Sequence, residues 1–562
     1  MDLRTRPLRP TALRSAPLVA PPSGRNQGRT AARRWASPRT HCVVWLAAAG
    51  IALSSCAYRP ARFRDRPPMT DARDMAPIPM PAFYWVPESV YLSEVYLHRP
   101  IRATLDLEPI PPAGDINSMD EVPYCSWFTP RPADVGSIAR GPEAPGPPRP
   151  PFTVLSDDAR AVASSGFSIS DARGERYEML IDPPDRPEMR TGAAAIAARL
   201  MWALGFNTPT VYVTHARPED FWRSEAGTPD VPAMLMSGAP NALGFYRVAA
   251  LAMPSSVWIG YASGSGTRGD DPNDVVAHED RRVLRSLKVF ASWMALSGLG
   301  PSKTMDRYLG ISGAGHVVHF LTGLDDALGA DDVVRVTDLP PGEGGGSPLI
   351  RLLTLGLAPN PARRPTQVEI PALGQLDPDL DPGGFGPSVP YEPADRLTSA
   401  DGYWAAKRIA ALSAAHIALA IEAGKLSDRR ARQAMQNALE ARRERVIRYW
   451  FERVTPVELA KLEGVRLELR DQAIRYGVER AEATDYYVDF LTSQGVGVGD
   501  KLDIHPEGDA WHIVLPEKAL LAAHDYLVVR IIARRDHRRA SRAFAVHVRF
   551  IDDRLTLVGL RH

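Results

Sequence analysis

A short apolar run at residues 43–53 decides which part of this chain can fold as a globular body. With its flanks it covers only residues 42–55. That is too short to cross about 30 Å of hydrocarbon as an ordinary helix, yet it matches the apolar core of a secretory signal. Nine arginines precede it, and Leu53-Ser54-Ser55-Cys56 closes it. Small residues before Cys56 suit a signal peptidase, and the Cys56 thiol is then placed to take up lipid. Fold arguments therefore begin after residue 55.

The combination of basic leader, apolar core and Leu53-Ser54-Ser55-Cys56 resembles a bacterial lipoprotein signal. The resemblance implies removal of residues 1–55, lipidation of Cys56 with palmitate and retention in the cell envelope. The same residues also allow a signal-anchor helix or a different start codon. Arg33-Arg34 is followed by Trp35-Ala36-Ser37, which fits a twin-arginine export signal poorly. Lipoproteins kept in the inner membrane resemble one another in having Asp after the lipidated Cys. Ala57 stands there, so the outer membrane is expected, with the protein facing the periplasm or outward.

The whole chain carries a formal charge of +1, and the leader, with nine Arg against Asp2, holds +8 of it. The remainder is therefore about −7, which argues against nucleic acid as a partner. Some 500 residues at 44% apolar content suffice for two to four domains with real cores. Cys125 is the only other cysteine after Cys56, so no disulfide framework is available despite an exported address. A small half-buried side chain beside Trp127 and Phe128 is its expected role.

Residues 56–82 are rich in Pro, Arg and Asp without apolar periodicity and read as a flexible tether. Residues 83–150 read as an extended, wrapping segment, with the aromatic stretch 122–131 pinned onto a domain surface and a Pro-rich linker at 142–151. Strands are expected at 167–170 and 176–181, joined across Asp171-Ala172-Arg173-Gly174. A helix over 189–204 follows, with Ile196, Leu200 and Leu204 on one face and Gly205 as its stop. With strands at 210–214 and 244–251, residues 151–260 form a small α+β lobe.

Residues 261–480 read as a mainly helical lobe. A helix over 278–296 presents Leu284, Leu287, Phe290, Ala291 and Met294 on its apolar face, and two short strands follow at 307–311 and 317–321. The Gly/Pro-rich stretch 339–394 is too long for a simple connection and either wraps the core or moves. Helices return from residue 399, the last over 428–453 with Arg442, Arg443, Arg445, Arg448 and Arg453 interleaved with Glu440, Glu444 and Glu452 as a solvated face. Residues 481–562 switch to five strands, at 486–491, 511–515, 526–533, 543–550 and 555–560, and read as a β-sandwich-like domain.

Few constellations carry chemistry. Gly264-Ser265-Gly266 lacks the strand and the Lys-Ser/Thr of a phosphate loop, and Gly344-Gly345-Gly346 reads as loop flexibility. Asp270, Asp271 and Asp274 offer oxygens to a calcium ion but match no EF-hand spacing; capping a helix at His278 is the rival account. His278-Glu279 lacks the second His of a zincin, since position 282 is Arg282. No Gly-x-Ser-x-Gly elbow with a convincing strand and helix is present.

The runs Glu121-Val122-Pro123, Ser126-Trp127-Phe128-Thr129, Ile181-Asp182-Pro183-Pro184, Asp270-Asp271-Pro272-Asn273-Asp274, His278-Glu279 with Arg281-Arg282, and Tyr403-Trp404-Ala405-Ala406-Lys407 resemble those of a group of bacterial envelope lipoproteins. The resemblance covers most of the chain from about residue 115. The central region of that group is similar in motif order to atypical protein and lipid kinases. This implies an α+β fold: a kinase-like two-lobed core followed by an all-β domain.

A kinase-like site needs a strand lysine, a helix glutamate, a catalytic-loop Asp and Asn, and a metal-binding Asp. The corresponding positions here hold Leu180, Ala194, Gly298 and Lys303, and the metal-binding stretch reads Thr322-Gly323-Leu324-Asp325-Asp326. Without a carboxylate pair, charge on a transferring phosphoryl group is not neutralised in the usual way. Asp325 and Asp326, with Asp306 nearby in sequence, are the candidates to have taken over a metal; otherwise they are turn and cap residues. The expected function is binding or scaffolding in the envelope, without a cofactor, toward an envelope protein or glycan. An atypical phosphotransferase with relocated metal ligands is one alternative, and a structural protein binding partners through its C-terminal sandwich is another.

Overall fold

The computed structural model describes residues 61–63, 71–101, 109–132, 134–142, 144–155, 166–223, 230–252, 256–311, 313–330, 370–535, 542–552 and 554–562. The chain divides into two units, residues 1–58 and 59–562. Cys56, the apolar run before it and Gly344-Gly345-Gly346 lie outside the described residues. What is described mixes helices with four sheets.

The first sheet contains β1 (Phe152–Val154), β2 (Gly166–Ser170), β3 (Arg176–Leu180), β4 (Thr210–Ala216), β5 (Phe221–Arg223) and β6 (Tyr246–Ala252), in the order β4-β6-β3-β2-β1-β5. The β2–β3 hairpin forms where expected because Asp171 Oδ1 accepts the backbone N–H of Arg173 at 2.8 Å and of Glu175 at 3.1 Å. Alternation puts Phe167, Ile169, Tyr177 and Met179 on one face, in a core with Phe152, Phe221 and Leu235. Helix α1 (Met189–Leu204) crosses the other face, between β3 and β4 in the chain. Its apolar residues run all the way round, the pattern of a buried helix. Asp182 fixes its start by accepting from the Thr191 amide at 2.9 Å and hydroxyl at 2.7 Å. Gly205, at φ +117°, ends it, and a β-carbon there would lie 2.2 Å from the Phe128 ring.

The second sheet is three-stranded: β7 (Val257–Gly260), β8 (Thr304–Leu309) and β9 (His316–Leu321). The single helix expected over 278–296 is three pieces: His278–Asp280, Arg282–Arg285 and α2 (Leu287–Met294). Arg281 takes an extended backbone, with its guanidinium held by Asp274 at 2.6 Å and the Val276 carbonyl at 3.1 Å. The expected apolar face, Leu284 to Met294, is nonetheless buried.

Helices α3 (Ser399–Ala410), α4 (Ala414–Ala423) and α5 (Arg429–Phe451) pack on α1 and α2 in the main core. The charged side of α5 departs from the solvated face expected at Arg442. This guanidinium is buried and donates to the carbonyls of Trp293 at 2.7 Å, Asp377 at 2.5 Å and Ser292. Residues 370–394 wrap the core, contributing Ala372, Leu380, Phe385 and Tyr391 to it.

The C-terminal region begins earlier than the expected boundary at 481. Strands β10 (Val457–Glu463) and β11 (Arg466–Asp471) join a later strand in the sheet β10-β11-β14. The other sheet uses β12 (Thr484–Thr492) and β13 (Leu502–Ile504), with β14 (Ala510–Val514) lying in the first, then β15 (Tyr526–Arg535), β16 (Phe544–Ile551) and β17 (Arg554–Arg561), ordered β13-β12-β15-β16-β17. Both sheets contribute to one core, where Leu467, Leu469 and Ile513 meet Tyr486, Val529 and Val546.

The expectation of a free tether through residue 82 is corrected over its described part. The amide of Ala72 bonds the Tyr124 carbonyl at 2.7 Å, and that of Ile78 bonds Gly315 at 2.8 Å. The Asp74 carboxylate accepts from the Ser126 hydroxyl at 2.8 Å. Likewise two of the three aromatics of the stretch 122–131 belong to the core rather than its surface: Trp127 is 1% exposed and Phe128 fully buried, while Tyr124 stays exposed.

Candidate functional site

The β8–β9 hairpin brings together the stretch ending at Lys303 and the stretch beginning at Thr322, which the resemblance likens to a catalytic loop and a metal-binding segment. Thr304 pairs with Leu321, so the residues just before β8 and just after β9 share one end of the hairpin. There the Thr322 amide donates to the Lys303 carbonyl at 2.9 Å. Lys303 Nζ donates to Asp326 Oδ2 at 2.7 Å and to the Gly323 carbonyl at 3.3 Å. The ammonium thus ties the residues just before β8 to those just after β9.

Two glycines make room for it. A β-carbon on Gly298 would lie 2.7 Å from Lys303 Cε and 2.8 Å from Asp326 Oδ2, and one on Gly323 would lie 2.5 Å from Lys303 Cδ. A side chain at 298 or 323 would thus collide with the lysine. A neighbouring cavity of about 20 Å³, lined among others by Gly298, Gly300, Lys303 and Tyr391, is of the size that holds one water.

The three aspartates weighed for metal binding do not share a ligand set. Asp326 pairs with Lys303, and Asp325 pairs with Arg190 at the start of α1. Asp306 is fully buried and accepts from Arg268 Nη1 at 2.9 Å and His319 Nδ1 at 2.6 Å. Burial pushes the Asp306 carboxyl up, but His319 and Arg268 outweigh it and hold the group below its ordinary range. Asp325 and Asp326 are turn residues, in the short 3-10 helix Leu324–Asp326, and each of the three carboxylates faces its own protein cation. Leu180 and Ala194, in the lysine and glutamate positions, are both buried in the main apolar core.

The loop at 270–274 is consumed in the same way. Asp270 accepts from Arg268 Nε and the Ala82 amide, both at 2.9 Å. Asp271 accepts the Asn273 amide at 2.9 Å; burial raises its pKa, against that hydrogen bond. Asp274 meets His278 Nε2 at 3.1 Å and Arg281 Nη2 at 2.6 Å. Burial alone would raise its pKa, yet these partners hold it well below the carboxylate range. Among the described residues no group of three His, Cys, Asp or Glu side chains is placed to hold a metal ion. Among the described residues, the carboxylates near this hairpin therefore do not fit a divalent ion of the kind a kinase-like site uses. At Gly264-Ser265-Gly266 the Gly266 amide is taken by Glu279 Oε2 at 2.7 Å, so that loop's amides do not form a phosphate cradle.

The motif residues instead build a buried ionic frame. Trp127 stacks on His319 at 4.2 Å and meets His278 edge-on at 5.4 Å. Arg282 Nε donates to Asp401 Oδ1 and its Nη2 to Asp120 Oδ1, both at 3.0 Å. Lys407 bridges Glu121 at 2.5 Å and Glu458 at 2.9 Å, and Trp404 Nε1 also donates to Glu121 at 2.8 Å. Single-sequence reasoning missed Arg268, Arg281, Arg282 and Arg285 as interior groups. The available signal was their crowding beside an apolar helix start, which leaves no solvated face for them all.

Neither a search of protein-family models nor one of curated proteins finds a match to this chain.

Proposed function

We propose that this chain is an outer-membrane-anchored bacterial lipoprotein whose kinase-like core is catalytically degenerate and serves binding or scaffolding in the cell envelope. The observation that carries the reading is the Lys303 bridge. A protein ammonium sits between the two segments where a kinase-like enzyme holds a divalent ion, and Gly298 and Gly323 leave it the room. A fixed lysine neutralises Asp326 without a metal, and it repels rather than recruits a second cation. The two C-terminal sheets, with one apolar core between them, support a sandwich-like module as the partner-binding part. A mildly acidic body and a lipid at Cys56 fit an envelope address.

The direct test is titration of the chain after residue 55 with ATP, with and without magnesium. Binding unaffected by magnesium, and no phosphate transfer, is the expected result. Tight magnesium-dependent binding, with phosphate transfer abolished in Asp325→Ala or Asp326→Ala, refutes the reading and favours a phosphotransferase with relocated ligands. For the anchor, Cys56→Ser is expected to leave folding intact and to abolish sedimentation with membranes.

A further inference from the structure

Phe63 is held on the outer face of the C-terminal five-stranded sheet, far along the chain from its own position. Its amide donates to the Tyr526 hydroxyl at 3.1 Å. Its ring meets His547 edge-on at 4.8 Å and lies under the Arg561 guanidinium at 4.6 Å. Gly559 is what lets the ring approach: a β-carbon there would sit 2.3 Å from Phe63 Cδ2. Beneath are Leu491, Tyr526, Val528, Ala545 and Val558, a small apolar cluster of that face, separate from the core between the sheets.

Register identifies what else this face carries. Tyr526 pairs with Arg549, which pairs with Thr556, and Ile551 pairs with Arg554. Paired residues share a face, so Arg549 and Arg554 lie on the side of Tyr526 and Phe63. Arg62, exposed, stands over the Tyr526 ring at 6.0 Å. Asp525 lies 3.1 Å from Arg549 and Asp489 pairs with Arg530 on the same face, which leaves Arg62 and Arg554 as its exposed basic residues.

We infer that this sheet face is the membrane-facing side of the protein and rests against an anionic lipid surface. The inference builds on the lipid anchor at Cys56. Only six residues separate Cys56 from Phe63, and seven extended steps reach at most about 25 Å. A lipidated Cys56 therefore holds the clasped sheet near the bilayer, where the exposed Arg62 and Arg554 meet anionic headgroups.

The test uses the lipidated full-length mature chain in phosphatidylglycerol-containing vesicles with a lipid-borne energy acceptor. A donor is attached at Thr556→Cys, on the proposed face, or at Leu243→Cys, exposed in the small lobe. Transfer from position 556 is expected to be at least twofold that from 243, and Phe63→Ala or Gly559→Ala, which undo the clasp, should erase the difference. Equal transfer from both sites in the unaltered clasp, or greater transfer from 243, overturns the inference. Failure of the lipidated chain to sediment with vesicles at all is a different result: it refutes the anchor, and the orientation falls with it.

Discussion

Replacing Arg282 with Met tests whether the buried frame holds the helices to the rest of the core. The side chain is 3% exposed and lies among Asp120, Asp401 and the Asp120 carbonyl, the last at 2.5 Å. Met fills much of the volume but strands two carboxylates in the interior. Removing one partner of a buried ion pair costs about 3–5 kcal/mol, because the other charge stays uncompensated. Asp120 keeps His562 at 2.9 Å, and Asp401 keeps the Thr398 hydroxyl at 2.8 Å with Arg285 3.6 Å away. Those residual partners put the expected loss at the lower end, about 3 kcal/mol. It is read as a drop in the urea midpoint at unchanged slope, followed by tryptophan fluorescence. Adding Asp120→Asn and Asp401→Asn to Arg282→Met removes the stranded charges and should recover at least half of the loss. A cost below about 1 kcal/mol, the value of an exposed pair, or a further loss in the triple variant, would refute the reasoning.

Other consequences can be measured in the same way. Burial raises the Asp120 pKa, but Arg282 and His562 outweigh it and hold the carboxyl well below its usual range. Its stabilising contribution is therefore present above about pH 4 and lost as pH falls below that. Melting temperature should drop more steeply between pH 5 and 3 in the native sequence than in Asp120→Asn; parallel profiles would show the pairing to be unimportant. Gly205→Ala places a methyl group into Phe128 at a positive φ, whereas Gly174, at φ +81°, has nothing within 4 Å of the added carbon. Gly205→Ala is thus expected to cost about 3 kcal/mol or more against about 1 for Gly174→Ala, and equal urea midpoints would contradict the packing. Burial pushes the Cys125 thiol up to about 12, so a thiol reagent at pH 8 should label it only in denaturant. Rapid labelling of the native protein would place this cysteine outside the core.

Elements with a strong period and clear punctuation were legible in the sequence. Helix α1 begins and ends at the residues its apolar pattern and Gly205 dictate, and β12, β15, β16 and β17 fall within a few residues of expectation. Short or edge elements were not: β1 and β5 have three residues each, and β10 reads Val-Glu-Leu-Ala-Lys-Leu-Glu, with charges fit for a helix as much as for an edge strand. The ionic frame was hidden for another reason. Arg282 finds Asp120 and Asp401 at 162 and 119 positions away, and nothing local distinguishes a cation with a buried partner from one in water. At the candidate site, Gly298 and Lys303 were visible as letters, but the pairing of Lys303 with Asp326 needed the hairpin geometry.

The stitching of Phe63, Ile78 and Tyr84 sets an order of assembly. Phe63 waits for Tyr526 and Gly559, Ile78 for Gly315, and Tyr84 for the backbone of Ile259. These residues are thus among the last to find their places, since their partners lie far later in the chain, Tyr526 by 463 positions. Loops closed over such separations are slow to form.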